Sequence, residues 1–163
     1  MRSVLITGGS RGIGAAAVRA FARLGDDVTF LYEKHHEAAR AVAAETGARA
    51  ICADVSDPEA VARAFSGLTR LDVLVNNAGI YHNCDFLDDS WRFNSAIMLL
   101  HVYTPTMLMY LFGKDMAARG YGYILNMSSV TSAFSVQRIG IYCSTKAYLQ
   151  RISRSAHVEL SGR

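Results

Sequence analysis

The chain has 163 residues, of which 51% are hydrophobic and 19% charged, and it carries a formal net charge of +3. This length suits one domain with a sizeable core, and this composition excludes an intrinsically disordered chain. The basic residues are scattered, with no Lys/Arg run and no interleaved aromatic residues, which excludes a typical nucleic-acid-binding surface.

Short apolar runs alternate with amphipathic segments, in the order strand, helix, strand, helix. Their periodicities predict strands at 4–6, 28–32, 50–53, 73–75 and 123–127, and helices at about 13–24, 37–45, 58–65, 95–118 and 141–160. Glycines 25 and 47 are expected to end the first two helices, and a capping box at 56–59 to begin the third. The alternation predicts one α/β domain over 1–163: a Rossmann-type, doubly wound parallel sheet with strand order 3-2-1-4-5 and a binding crevice at the carboxyl ends of strands 1 and 4.

A glycine-rich turn, TGGSRGIG at 7–14, joins the first strand to the first helix. Its glycines have the spacing GxxxGxG rather than the commoner GxGxxG. Glycine allows a tight turn and close approach of the backbone, and the helix N-terminus offers free N–H groups and a positive dipole end to a pyrophosphate. Glycines can also simply close such a turn, but the position within a βαβ unit favours phosphate binding. The residues predicted to bind a cofactor here are Gly8, Ser10, Arg11, Gly12, Ile13 and Gly14.

The end of the second strand predicts which dinucleotide binds. An acidic residue there would bind the ribose 2′-hydroxyl and select NAD. This chain has Tyr32 at that position, and both Arg11 and Lys34 are available to a 2′-phosphate, whereas Glu33 argues mildly for NAD. We therefore predict NADP as the cofactor, with NAD less favoured.

Tyr142 and Lys146 are four residues apart in the last predicted helix and therefore lie on one face. Ser129 follows the fifth strand, at the edge where the crevice is expected. A tyrosine is a poor base at neutral pH because its ordinary pKa is near 10, but a nearby ammonium and a cationic nicotinamide both favour the phenolate. A YxxxK pair by itself also occurs by chance on helix surfaces, so its meaning depends on the other motifs.

Four motifs occur together in one order: TGGSRGIG at 7–14, NNAG at 76–79, a serine before the tyrosine, and YCSTK at 142–146. With them the chain resembles, over essentially its whole length, the short-chain dehydrogenase/reductase family in its GxxxGxG branch. The resemblance implies that Tyr142 protonates the substrate carbonyl oxygen, that Lys146 assists it and binds the nicotinamide ribose, and that Ser129 orients the carbonyl. The hydride would pass from the nicotinamide to the carbonyl carbon of a small-molecule substrate.

The resemblance also implies further cofactor contacts and an assembly. The adenine contact would be Asp54, with Val55 beside it, and the segment lining the cofactor would comprise Asn76, Ala78 and Gly79. In the family the two long C-terminal helices pair across a dimer, and their apolar character here predicts a homo-oligomer.

His101 occupies the position at which the family commonly has a catalytic asparagine in the long helix. That asparagine kinks the helix and holds a water for proton relay, and Pro105 fits the same helix. An imidazole can pass protons near neutral pH, so His101 is predicted to replace the asparagine as a relay. The equal alternative is a histidine that simply packs in the helix.

The chain ends at 161–163, where the family continues with a sixth strand, a Pro-Gly turn near the nicotinamide and a substrate-binding loop. We therefore expect a C-terminally incomplete domain whose substrate the sequence does not identify. The leading function is an NADP-dependent oxidoreductase, and the alternative is a catalytically silent dinucleotide-binding or regulatory protein. An epimerase or dehydratase is disfavoured because it usually has GxxGxxG spacing and lacks NNAG.

Location and metal binding are predicted from the remaining residues. The three cysteines, Cys52, Cys84 and Cys143, form no CxxC pair and no metal-ligand spacing with the histidines, which is typical of a reducing compartment. Cys52 is predicted to be a buried free thiol. The first glycines come too early for a signal peptide, and the apolar stretch 97–112 is too short to span a bilayer, so a buried helix is predicted there. We predict a cytoplasmic protein with no metal and no membrane partner.

Overall fold

The computed structural model describes residues 1–65, 67–68 and 70–161, and a five-stranded parallel sheet lies at its centre. The strands are β1 (Ser3–Thr7), β2 (Asp27–Tyr32), β3 (Arg49–Cys52), β4 (Val73–Asn76) and β5 (Tyr123–Asn126). Their order is β3-β2-β1-β4-β5, and all four neighbouring pairs are parallel. The predicted strand order is therefore confirmed.

Six α-helices of the described chain connect and cover these strands: α1 (Gly12–Arg23), α2 (His36–Thr46), α3 (Pro58–Phe65), α4 (Trp91–Met98), α5 (Thr104–Arg119) and α6 (Gly140–Leu160). A π-helical turn, Leu99–Tyr103, joins α4 to α5, and a 3₁₀ turn, Val130–Ala133, precedes α6. The helices at 13–24, 37–45, 58–65 and 141–160 are found within one or two residues of their predicted bounds.

The helix predicted over 95–118 differs in its start and in its interior. It begins at Trp91 because the Ser90 hydroxyl caps it, accepting a hydrogen bond from the Phe93 N–H at 3.1 Å. Its π-helical turn ends two residues before Pro105, which has no N–H to donate to the preceding turn. The Thr104 N–H donates to the Leu99 carbonyl, which stabilises the wider turn.

The core forms two layers, one on each face of the sheet. Alternate strand residues such as Val4 and Ile6 face α1 and α2, whereas Leu5 and Leu74 face α3 and α5. Because both faces are covered, the central strands are apolar at successive positions instead of alternating with polar residues. Because all five strands are parallel, their carboxyl ends lie at the same edge of the sheet.

Three local predictions need correction. Asp57, rather than Ser56, caps α3, since its carboxylate accepts a hydrogen bond from the Glu59 N–H at 2.9 Å. Cys52 is exposed rather than buried, because it ends the edge strand β3, where its thiol faces the Glu33 carbonyl at 3.5 Å.

The third correction concerns the apolar stretch 97–112, which is buried on one side only. Leu108 packs into the core, whereas Leu99, Tyr103 and Tyr110 are exposed. By length and composition the continuous helical span Trp91–Arg119 could cross a membrane, a test that a core helix also passes. Its packing against the sheet is the arrangement of a core helix.

Candidate functional site

The turn between β1 and α1 is shaped for a closely approaching anion. The backbone has positive φ at Gly8 (+72°) and Gly12 (+55°), conformations that residues with a Cβ rarely adopt. A Cβ at Gly14 would overlap the Gly8 carbonyl and come within 2.6 Å of the Asn77 amide nitrogen. The first turn of α1 has no capping side chain and no acidic residue, so its N–H groups are left for a ligand.

The NNAG segment is hydrogen-bonded to this turn through two residues that the sequence analysis did not name. The Thr7 hydroxyl accepts from the N–H groups of Asn77 and Ala78, both at 3.0 Å. The Asn77 amide donates to the carbonyls of Thr7 and Gly8 at 3.0 and 3.2 Å. A polar pair at the ends of neighbouring parallel strands was the signal available for this contact. The two motifs therefore form one structural unit.

Asn76 has a different environment from its neighbour. Its side chain is buried and donates to the Asn126 amide oxygen at 2.7 Å, on the strand next to it. The Asn126 nitrogen in turn donates to the Ser153 hydroxyl at 2.8 Å. This ladder joins β4, β5 and α6 below the crevice, and the Asn76 oxygen has no hydrogen-bond partner within the described chain.

The residues predicted at the adenosine end lie at the carboxyl ends of β2 and β3. Tyr32 is half-buried, and its hydroxyl lies 3.4 Å from His36 Nδ1. Lys34 is exposed and paired with Glu33 at 2.9 Å, and the hydrogen bond that its ammonium donates to the Glu33 carboxylate raises the pKa of Lys34. The Asp54 carboxylate accepts from the Ser56 N–H and hydroxyl at 2.9 and 2.7 Å, which fixes the loop after β3.

Of the four other residues predicted to bind the cofactor, two are exposed and two are buried. Arg11 and Ile13 are exposed in the glycine turn. Ser10 and Val55 are buried, and the Val55 carbonyl accepts from the Thr104 hydroxyl at 2.9 Å. The exposed pair is thus accessible to a bound dinucleotide, and the buried pair supports the loops.

Tyr142 and Lys146 lie in the first turns of α6. The Lys146 ammonium is 5.6 Å from the centre of the Tyr142 ring and donates to the Met127 carbonyl, just after β5, at 2.8 Å. Lys146 is only 5% exposed, and burial lowers its pKa to about 8. An ammonium so poorly solvated interacts strongly with a developing negative charge beside it.

Ser129 lies between β5 and the 3₁₀ turn and is half-buried. Its hydroxyl oxygen accepts from the N–H and the hydroxyl of Thr131, at 3.2 and 3.0 Å. Since both contacts use the oxygen as an acceptor, the Ser129 proton remains available for donation to a ligand.

His101 lies inside the protein behind Tyr142. Its Nε2 accepts from the Ile80 N–H at 3.0 Å, and its Nδ1 is 3.1 Å from the Thr145 hydroxyl. The imidazole and Tyr142 rings meet edge to face at 5.6 Å, and Tyr81 meets Tyr142 in the same way at 5.4 Å. Burial, assisted by the Lys146 charge, lowers the pKa of His101 to about 3.

Within residues 1–65, 67–68 and 70–161, no group of three His, Cys, Asp or Glu side chains is placed to hold a metal ion. A dinucleotide, in contrast, fits the glycine turn, because a Cβ at Gly14 would disrupt it and free helical N–H groups line it. The residues at the strand ends thus combine an anion-binding turn with a phenol, an ammonium and a hydroxyl.

Comparisons with known proteins agree with this arrangement. The family model described as short chain dehydrogenase matches residues 2–163. Sorbitol dehydrogenase of Cereibacter sphaeroides is 33% identical over 98% of this chain, and L-xylulose reductase of Bos taurus is 29% identical over 98%. The chain spans 64% and 66% of these two relatives.

A solved structure of a metagenomic short-chain oxidoreductase in complex with NADP matches 98% of this chain and 76% of its own length. Its TM-score is 0.91 at 30% identity. The fold, the two motifs joined at the strand ends and the agreement with the family over nearly every residue lead to one conclusion: the chain belongs to the short-chain dehydrogenase family.

Proposed function

We propose that this chain provides the cofactor site and the proton-transfer residues of an NADP-dependent oxidoreductase that acts on a carbonyl or secondary alcohol. The observation that carries the proposal is the buried Lys146 ammonium, 5.6 Å from the Tyr142 ring on the same face of α6. A desolvated cation at this distance favours the phenolate form of the neighbouring tyrosine.

In this function the glycine turn would hold the pyrophosphate, and the Lys146 ammonium would bind the nicotinamide ribose with donors that Met127 does not use. The bound cofactor supplies the hydride. The Ser129 hydroxyl donates a hydrogen bond to the substrate carbonyl oxygen and so orients it. The Tyr142 hydroxyl transfers its proton to that same oxygen, and in the reverse direction the phenolate removes it.

The preference for NADP rests on Arg11, which is exposed at the start of α1. A guanidinium there can bind a 2′-phosphate with two parallel hydrogen bonds. Lys34 contributes less, because Glu33 already neutralises part of its charge at 2.9 Å. No acidic residue ends β2, since its last residue is Tyr32.

Fluorescence titration with NADPH and NADH tests this preference. Arg11→Ala is expected to weaken NADPH binding by about 10- to 100-fold, the loss of charge-assisted hydrogen bonds, and to leave NADH binding unchanged. Arg40→Ala, which removes an exposed arginine on α2, is the matched control. Equal weakening of both cofactors by Arg11→Ala would show that this arginine only supports the turn.

A catalytically silent dinucleotide-binding protein is the second candidate, because the glycine turn with its uncapped helical N–H groups could bind a dinucleotide whether or not Tyr142 transfers a proton. Following NADPH oxidation with a panel of ketones distinguishes the two. Ketone-dependent oxidation that is lost in Tyr142→Phe supports the oxidoreductase. Binding of NADPH without oxidation by any ketone supports the silent protein.

We also propose a cytoplasmic homo-oligomer formed through the exposed apolar side of the span Trp91–Arg119 together with α6. Leu99, Tyr103 and Tyr110 are 44%, 48% and 63% exposed and line a shallow groove with Tyr148 of α6. Sedimentation velocity tests the assembly, and Tyr103→Glu is expected to dissociate it. A parent protein that sediments as a monomer at high micromolar concentration contradicts it.

A further inference from the structure

His101 contacts two separate segments of the candidate site, residues 79–80 and helix α6. It lies in the π-helical turn, 1% exposed, with the 79–80 segment on one side and α6 on the other. A Cβ at Gly79 would come within 2.9 Å of His101 Nε2, so the imidazole fills the space that the absence of a side chain at Gly79 creates. π-Helical turns often occur at functional sites, and this one directs an imidazole into the core.

The hydrogen bonds around His101 define which imidazole nitrogen carries the proton and where the Thr145 hydroxyl proton points. The Ile80 N–H can only donate, so Nε2 is the acceptor and a neutral imidazole must carry its proton on Nδ1. The Thr145 hydroxyl gives its single proton to the Tyr142 carbonyl at 2.8 Å. Its oxygen is therefore left to accept from Nδ1–H at 3.1 Å. The hydrogen bonds run in one direction, from Ile80 through His101 and Thr145 to the Tyr142 backbone.

We infer that His101 is a positioning residue, held in the neutral Nδ1–H form, that fixes Tyr142 against the 79–80 segment and does not relay protons. A relay would need Nε2 to take up a proton, which would direct two N–H groups at each other. The charged group that faces the imidazole is the Lys146 ammonium, with the Tyr142 phenol beside it, and the ammonium also opposes an imidazolium. This inference opposes the relay hypothesis, develops the alternative of a packed histidine and rests on the proposed function of Tyr142.

Two aromatic side chains, His101 and Tyr81, contact the Tyr142 ring. His101 meets one side of it edge to face at 5.6 Å, and Tyr81, one residue after Ile80, meets it at 5.4 Å. The hydrogen bond at Ile80 links these contacts, since it fixes the segment that carries Tyr81 to the same imidazole. Loss of the imidazole would therefore misplace the phenol without removing any group that donates a proton to substrate.

Nitrogen NMR of the histidine-labelled full chain tests the protonation state directly and needs no turnover. From about pH 5 to about pH 8 we expect one imidazole that does not titrate and keeps a protonated Nδ1 and an unprotonated Nε2. Its signals are assigned by their loss in His101→Gln, and the exposed His35, His36, His82 and His157 are internal references. Titration of His101 in this range, or a proton on Nε2, would overturn the inference.

Rescue by glutamine tests positioning. A Gln side-chain oxygen can accept from the Ile80 N–H but cannot carry a proton. We expect His101→Ala to lower kcat by about 10- to 100-fold, with a smaller change in KM, and to move the Tyr142 ring resonances, whereas His101→Gln restores most of both. His101→Gln that is as slow as His101→Ala, with unmoved tyrosine resonances, supports the relay instead. Unchanged kcat and unmoved resonances in both variants also overturn positioning.

Thr145 provides a second test that leaves His101 intact. Thr145→Val removes the only acceptor described for Nδ1–H, so it is expected to disturb the imidazole signals, whereas Thr145→Ser keeps the hydroxyl and the signals. Imidazole signals that are unchanged in Thr145→Val contradict the proton positions. If the chain shows no turnover with any ketone, the proposed function fails, while the imidazole signals and the tyrosine resonances still decide the role of His101.

Discussion

Acid should destabilise this protein through His101 in the range from pH 6.5 towards pH 3. Burial and the Lys146 charge lower the pKa of His101 to about 3 from an ordinary value of 6.5. Below pH 6.5 the unfolded chain binds a proton at this position and the folded protein does not. Because the unfolded state then binds more protons, the free energy of unfolding falls as the pH falls from 6.5 towards 3.

The size of this loss follows from the pH interval. Each pH unit in which only the unfolded chain is protonated costs about 1.4 kcal/mol. Between pH 7 and pH 5 the loss is therefore about 2 kcal/mol. Asp26 and Asp72, whose pKa values lie below the ordinary 3.8 because of hydrogen bonds from Arg2 and from the Ser3 N–H respectively, add their own loss only in stronger acid.

Urea unfolding at about pH 7 and about pH 5, followed by circular dichroism, measures the effect. His101→Gln is the matched variant, because glutamine is of similar length and does not titrate. The parent should lose about 2 kcal/mol more than His101→Gln over this interval. Equal losses in the two proteins would refute the reasoning, since the imidazole would then be as easily protonated in the fold as in the unfolded chain.

Three further predictions concern the turn, the phenol and a buried carboxylate. Gly14→Ala should lower the free energy of unfolding in urea by about 1–3 kcal/mol and abolish NADPH binding, because the added Cβ would overlap the Gly8 carbonyl. Gly140→Ala, where the Cβ would enter open space, should change the stability by less than about 0.5 kcal/mol, and equal effects in the two variants would contradict the overlap at Gly14. Tyr142→Phe should lower ketone reduction about 10²- to 10⁴-fold, with a far smaller change in NADPH affinity, and an unchanged rate would exclude the phenol as proton donor. Asp72→Asn should lower the free energy of unfolding by about 1–3 kcal/mol, because the buried carboxylate accepts from the Ser3 N–H at 3.0 Å; an unchanged urea midpoint would contradict this.

The fold could be predicted because local patterns and global topology agree. Buried parallel strands require apolar residues on both faces, and the segments around Leu5, Phe30 and Leu74 have them. The glycine turn and the Tyr142–Lys146 pair were recognisable for a related reason, since each depends on short sequence spacing that a helix or a turn converts directly into geometry.

Individual contacts between distant segments were not predicted, even where the strand order brought the segments together. Nothing local indicates that the Asn77 amide bonds the Gly8 carbonyl, 69 residues away. Cys52 was predicted to be buried because its strand is apolar, although the predicted strand order already placed that strand at the edge of the sheet, where its last residue is exposed. The start of α4 at Trp91 depended on a single cap, Ser90, which lies outside the apolar stretch that suggested the helix.

His101 shows that position in the sequence does not determine the protonation state of a side chain. Position in the chain aligned it with a relay residue, and an isolated imidazole has the right pKa for that role. What decides its chemistry is the donor placed on each nitrogen, and the N–H that faces Nε2 belongs to Ile80, 21 residues earlier in the sequence. When a backbone N–H already occupies Nε2, the neutral imidazole keeps its proton on Nδ1 and has no free nitrogen to accept another proton. If the imidazole keeps this proton, the pH–rate profile of the proposed reaction should contain no inflection from His101 between about pH 5 and about pH 8, whereas a relay histidine would produce one.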